Sequence, residues 1–285
     1  MAKDLLKYLS EHYASFSKGH KAIADYIIQN YDTAAFMTAV KLGTAVGISE
    51  STVVRFAYEV GYDGYPKLQK ALQEMVRNQL TSTQRIAITD ETGGEAILHK
   101  VMNADAENIR GTLAGIDREV FERCVDEILN ARNIYILGVR SSAALASFLS
   151  FYFNLMLPNV RLVSVNTVSE VYEQILRAEE GDVMIGISFP RYSKRTVKAM
   201  QYVRKQGARA IAITDSHTSP LAETADLALL AKSNMVSFVD SLVAPMSIIN
   251  ALIVAVGMRK KDDVYRSFEK LEQIWDEYEV YEKNG

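Results

Sequence analysis

Between Asn133 and Thr196 the apolar positions gather into two short unbroken runs, Ile134-Tyr135-Ile136-Leu137 and Val183-Met184-Ile185-Gly186-Ile187. Runs of this length, with β-branched residues and helical segments on either side, suit parallel strands covered on both faces. The first leads into Gly138-Val139-Arg140-Ser141-Ser142 and a helix from Ala143 to Leu157. The second leads into Ser188-Phe189-Pro190-Arg191-Tyr192-Ser193 and a helix from about Lys194 to Lys205. Val160 to Val165 with a helix from Ser169, then Ala208 to Ile213, then Leu227 to Leu230 continue the pattern. Five short strands separated by helical segments predict an α/β doubly wound parallel sheet. Ligands of such sheets sit beyond the carboxyl ends of the strands, beside helix N-termini, and both hydroxyl-rich loops lie there.

The first 78 residues carry a helical period instead. Leu5, Leu6, Leu9 and Tyr13 mark one amphipathic helix, and Ile23, Ile27, Ile28 and Tyr31 a second. In the stretch Met37 to Gly61, Gly47 can take the left-handed conformation that stops one helix and Ser49 can cap the next. Val53, Phe56, Ala57 and Val60, spaced i, i+3, i+4, i+7, then face a core, leaving Ser51, Thr52, Arg55 and Glu59 outside. That is a helix-turn-helix whose second helix suits a DNA major groove, or a plain helical hairpin with a polar outer face; Glu50 and Glu59 dilute the positive charge.

Residues 79–95, rich in Thr and Gly, are the expected linker, dividing a helical domain at 1–78 from a sheet domain at 96–285. Ala96 to about Gly115 and Arg118 to Asn130 read as helices, the first with an imperfect stripe of Ile97, Val101, Ala104, Ile109 and Leu113 expected to pack on its own domain. Near the end, Val264, Phe268, Leu271, Trp275 and Tyr278 make a stripe that either packs on its own domain or crosses a dimer interface. Leu242 to Met258 is almost wholly apolar, but Pro245, Ser247, Asn250 and its length favour a buried helix over a membrane span.

Composition narrows the reading. The 285 residues suffice for two domains, and a net charge of −3 leaves any nucleic-acid contact to a local surface. The single cysteine, Cys124, suits a reducing cytoplasm and reads as a core residue. His12, His20, His99 and His217 are scattered without metal-ligand spacing, and no cofactor motif appears.

Two motifs resemble known families. Val46-Gly47-Ile48-Ser49-Glu50-Ser51-Thr52-Val53-Val54-Arg55-Phe56, with Gly61-Tyr62-Asp63-Gly64-Tyr65-Pro66-Lys67-Leu68 after it, resembles the N-terminal domain of RpiR-type transcriptional regulators. Gly43 departs from the family's usual alanine and is expected to loosen the first helix. The resemblance implies operator-DNA contacts at Ser49, Ser51, Thr52 and Arg55 and a phosphate contact at Lys67. The two hydroxyl loops resemble the sugar isomerase (SIS) domain, which implies a phosphorylated-sugar effector held by Arg140, Ser141, Ser142, Ser188, Arg191, Ser193 and Thr196.

The usual SIS loop reads Ser-x-Ser-Gly-x-Thr. Here Pro190 and Arg191 replace the second Ser and the Gly, and Ser193 takes the Thr position. Losing a hydroxyl and the permissive glycine weakens the expected cradle, with Arg191 as a substitute donor. An isomerase needs a positioned base. The helix after the first loop contains no acid, so Glu170 and Glu173 are the nearest candidates and a sensor is favoured over an enzyme. A homodimer or dimer of dimers is expected, since two recognition helices address two half-sites.

Overall fold

A computed structural model describes residues 2–76, 97–236 and 238–281, and divides the chain into two compact units, residues 1–91 and 92–285. The expected linker at 79–95 lies outside the described residues.

The first unit is helical: α1 (Ala2–His12), α2 (Lys18–Gln29), α3 (Tyr31–Ala34), α4 (Ala39–Val46), α5 (Glu50–Glu59) and α6 (Tyr65–Val76). Two aromatic residues fall outside the helices expected for them. Tyr13 opens a single 3-10 turn, and Tyr31 starts α3 after Asn30 has ended α2. The core joins Leu5, Leu9, Ile23 and Ile27 to Leu42, Val53, Phe56, Ala57, Leu68 and Leu72.

The second unit begins with α7 (Ile97–Gly115) and α8 (Arg118–Asn130). It continues β1 (Ile134–Gly138), α9 (Ser142–Met156), β2 (Val160–Leu162), α10 (Val168–Ile175), β3 (Val183–Ile187), α11 (Lys194–Lys205), β4 (Arg209–Thr214), β5 (Leu227–Leu230), α12 (Val243–Arg259) and α13 (Lys261–Glu277). All strand pairs are parallel, in the order β2-β1-β3-β4-β5.

Alternate strand residues point to opposite faces. Ile134, Ile136, Ile185, Ile187, Ile211 and Ile213 meet α8, α9 and α12, whereas Tyr135, Leu137, Met184, Ala210 and Ala212 meet α10 and α11. Cys124 is fully buried on the first of these faces, and burial pushes its thiol up to about 12, far from reactive. Helix α12 buries Ile248, Ile249, Leu252 and Val256 in the same core. Among the described residues no single helix is long and apolar enough to cross a membrane.

Two expectations need correction. Strand β2 stops at Leu162, because the Gln174 side chain takes both the N–H and the C=O of Ser164 (2.8 and 3.2 Å). The stripe on α7 is inverted: Ile97, Val101, Ile109 and Leu113 are exposed while Asn108 and Thr112 are buried. Backbone groups between β5 and α12 need hydrogen-bonding partners, and those polar side chains supply them. The last helix, α13, keeps Val264, Phe268, Leu271 and Trp275 only half-buried, and Tyr278 lies beyond its end, 72% exposed.

The start of β1 is fastened to the start of β3 by Asp182, whose side chain is wholly buried. Arg132 clamps it through Nε and Nη2 (3.0 and 3.1 Å), Asn133 donates at 2.9 Å, and the Glu179 N–H donates at 3.1 Å. Burial alone would raise this carboxyl's pKa; the Arg132, Asn133 and backbone hydrogen bonds outweigh it and hold the group below the ordinary range.

A carboxyl depressed in the folded state adds stability above its unfolded pKa of ~4, and that stability is lost as pH falls through the folded value. Denaturant unfolding should therefore show stability dropping below about pH 4. In Asp182→Asn stability at neutral pH should be lower and that acid limb shallower.

Candidate functional sites

Strand order reverses between β1 and β3, since β2 lies outside one and β4 outside the other. Their carboxyl ends are in register, Gly138 against Ile187. Helix α9 leaves toward one face of the sheet and α11 toward the other. The two loops therefore start side by side and diverge, which opens the crevice where such sheets take ligands.

In the first loop Arg140 is exposed and holds a left-handed conformation, φ 60°. The turn lets α9 start at Ser142, one residue earlier than expected, and Leu157 falls just outside its end. Ser142, a residue expected to hold the effector, is buried within the first helical turn. Ser141 is exposed; its Oγ makes no cap contact and lies 3.5 Å from Asp240 Oδ2. Gly138 makes this junction: a Cβ there would come within 2.2 Å of the Ser142 carbonyl oxygen.

The second loop answers the doubt raised by its missing glycine. Arg191 takes the left-handed conformation itself, φ 64°, and carries an exposed side chain. Buried Ser188 accepts the Ser193 N–H at 3.0 Å, and Ser193 caps α11 by accepting the Thr196 N–H at 3.2 Å. Both hydroxyls thus serve the loop's own geometry as acceptors. Thr196 is fully buried, and its Oγ1 finds no hydrogen-bond partner among the described residues; it is not part of the exposed loop surface.

Two groups that periodicity did not single out border the crevice. Tyr192 donates to Asp215 at 2.8 Å, tying the loop to the end of β4, and Asp240 reaches Ser141 from the connection before α12. Their partners are distant in sequence, so no local spacing marks them. Glu170 and Glu173 are otherwise occupied. Glu170 forms a capping box with Thr167, and Glu173 accepts the Ser169 hydroxyl at 2.6 Å.

In the helical unit, Gly47 ends α4 at φ 76° and Ser49 caps α5. Gly43 does not loosen α4. It is buried, and a Cβ there would meet the Ile48 carbonyl at 2.8 Å, so the missing side chain lets the turn pack against the helix. Val53, Phe56, Ala57 and Val60 are buried as expected. Ser49 Oγ lies 2.9 Å from both Ser51 Oγ and Thr52 Oγ1, and Arg55 folds back to the Ser51 carbonyl (3.3 Å) and Thr52 Oγ1 (3.5 Å). Tyr58, 58% exposed, extends the Ser51–Arg55 face by one more turn. Lys67 is exposed in the first turn of α6.

Comparison with known proteins decides between a hairpin and a DNA-binding head. Residues 3–79 match the family described as "Helix-turn-helix domain, rpiR family", and residues 127–255 match the SIS domain. The chain belongs to the RpiR-type transcriptional regulators.

An HTH-type transcriptional regulator of Caldanaerobacter subterraneus is 27% identical over 279 residues, 95% of this chain and 96% of that one. HexR of Pseudomonas aeruginosa is 26% identical over 272 residues, 92% of each. Among solved structures, the sugar isomerase domain of an RpiR transcription factor from Sphaerobacter thermophilus aligns with a TM-score of 0.58 at 27% identity. It covers 62% of this chain and 99% of that one. NanR of Vibrio vulnificus shares the fold over 95% of this chain and 98% of its own, with a TM-score of 0.58 at 22% identity.

For this RpiR-type regulator, Gly138→Ala should lower stability by about 1–3 kcal/mol, the usual cost of forcing an atom into a packed site. Urea unfolding checks it.

Proposed function

We propose that this regulator senses a phosphorylated sugar in the crevice between β1 and β3 and thereby adjusts its grip on operator DNA. The observation that carries the reading is the juxtaposition of two left-handed arginines, Arg140 and Arg191, on loops that run into helix N-termini at the sheet's switch point. A left-handed arginine costs roughly 1–3 kcal/mol, and such strain concentrates at ligand sites. Ser141 and Ser193 add hydroxyl donors, and helix N-termini add N–H groups and partial positive charge. Guanidinium, hydroxyl and amide donors together suit a phosphate dianion. NanR, which shares the fold, is complexed with ManNAc-6P, itself a phosphorylated sugar.

The DNA face comprises Ser49, Ser51, Thr52, Arg55 and Lys67, with Tyr58 beside them. The protein acts as a sensor and not an isomerase, because Glu170 and Glu173, the nearest acids weighed as a base, are engaged in a capping box and in a hydrogen bond from Ser169. It works in the cytoplasm, where the DNA is. We also place a homodimer contact on α7, whose Leu98, Met102, Ile109 and Leu113 form an exposed apolar stripe.

Thermal unfolding against a panel of hexose and amino-sugar 6-phosphates tests the sensor. A binder raises the melting temperature of the wild type with the logarithm of its concentration above Kd, and Ser193→Ala or Arg191→Ala should cut that rise while leaving DNA affinity near normal. Equal shifts in the wild type and both variants would remove these loops from the site. Conversely, Arg55→Ala should weaken operator binding by about 1–3 kcal/mol in a gel-shift titration and leave the sugar-induced shift intact.

A further inference from the structure

Within one protomer, helix α7 leaves its apolar residues uncovered and buries polar ones. Leu98 and Leu113 are 63% and 73% exposed, while Asn108 and Thr112 are buried. Among the described residues, four of its hydrogen bonds reach the connection between β5 and α12. Asn108 Nδ2 donates to the Asn234 carbonyl at 2.9 Å, and its Oδ1 accepts the Asn234 N–H at 3.2 Å. Thr112 Oγ1 accepts the Lys232 N–H at 2.8 Å, and Ser241 Oγ donates to Asp105 at 2.6 Å. The residue before Ser241 is Asp240, whose carboxylate lies 3.5 Å from Ser141 Oγ in the first anion loop.

We propose that Asp240 and Ser241 form a relay through which an anion bound at Ser141 loosens α7. The inference rests on the crevice being an anion site. A phosphate arriving at Ser141 meets the Asp240 carboxylate, which carries charge of the same sign, and competes for the hydroxyl hydrogen that points to it. Asp240 must move aside. Ser241 shares its peptide bond, so the short contact to Asp105 moves with it.

Hydrogen bonds fail over displacements that an apolar contact tolerates, which makes a polar-docked helix a responsive one. The chain enters α7 at Ile97 directly from the segment 77–96 that follows the helix-turn-helix unit. Loosening α7 therefore changes what the DNA-binding head is tethered to. The tied and loosened arrangements differ in their affinity for anion, and that difference is what any coupling between the two functions requires.

Hydrogen exchange on the full chain, with millimolar inorganic phosphate or chloride at matched ionic strength, tests the relay. Phosphate should slow exchange at residues 139–143 and 193–197 and speed it roughly fivefold or more across residues 98–113. Asp240→Asn keeps the side chain's shape and removes its charge. It should bind phosphate roughly fivefold more tightly and keep α7 exchange slow with and without the anion. Ser241→Ala should keep the loop protection and lose the response of α7. Protected loops combined with unresponsive α7, and unchanged phosphate affinity in Asp240→Asn, would overturn the relay and leave the anion site intact. Loops that phosphate does not protect in the wild type would overturn both.

Discussion

The pairing of β1 with β3 in parallel register is the constraint on which the rest of the sheet domain depends. Parallel neighbours begin together and end together, so fastening their amino ends fixes where their carboxyl ends lie. Asp182 does the fastening: one buried carboxylate accepts from Arg132 and Asn133, just ahead of β1, while lying itself just ahead of β3. At the other end of the same pair, Gly138 and Ile187 stand opposite each other and the two arginine loops begin. A one-residue slip would exchange the isoleucines of one face with the tyrosine, leucine and methionine of the other, so the core opposes it as strongly as the clamp does.

From that pairing the crevice follows without further design. The crossover after β1 returns to one side of the pair and the crossover after β3 to the other, and right-handed connections then put α9 and α11 on opposite faces. The loops must part, leaving a gap that two helix N-termini flank. Glycine at Gly138 and left-handed backbone at Arg140 and Arg191 are the means by which each strand turns sharply enough into its helix. Arginine at these two positions stands where glycine would cost less backbone strain.

The helix-turn-helix unit relies on the same economy of space. Gly43 admits the Ile48 carbonyl against α4, and Gly47 reverses the chain so that Ser49 can cap α5. A tight turn presents the start of α5 with its Ser49, Ser51 and Thr52 hydroxyls clustered and Arg55 held along the helix. Those contacts hold the polar edge of the helix in one arrangement.

Local order was legible in the sequence wherever neighbours in the chain decide it. Unbroken apolar runs marked β1, β3 and β5, the i, i+3, i+4, i+7 spacing marked the inner face of α5, and Gly47 with Ser49 marked the turn, since strand burial, helix period and capping each act over a few residues. Tertiary structure alone decided the rest. It turned α7 polar side inward to satisfy a distant backbone and ended β2 early through the Gln174 side chain. It also brought Asp215 and Asp240 to the crevice, because partners separated by many residues leave no periodicity to read and meet only when the sheet closes.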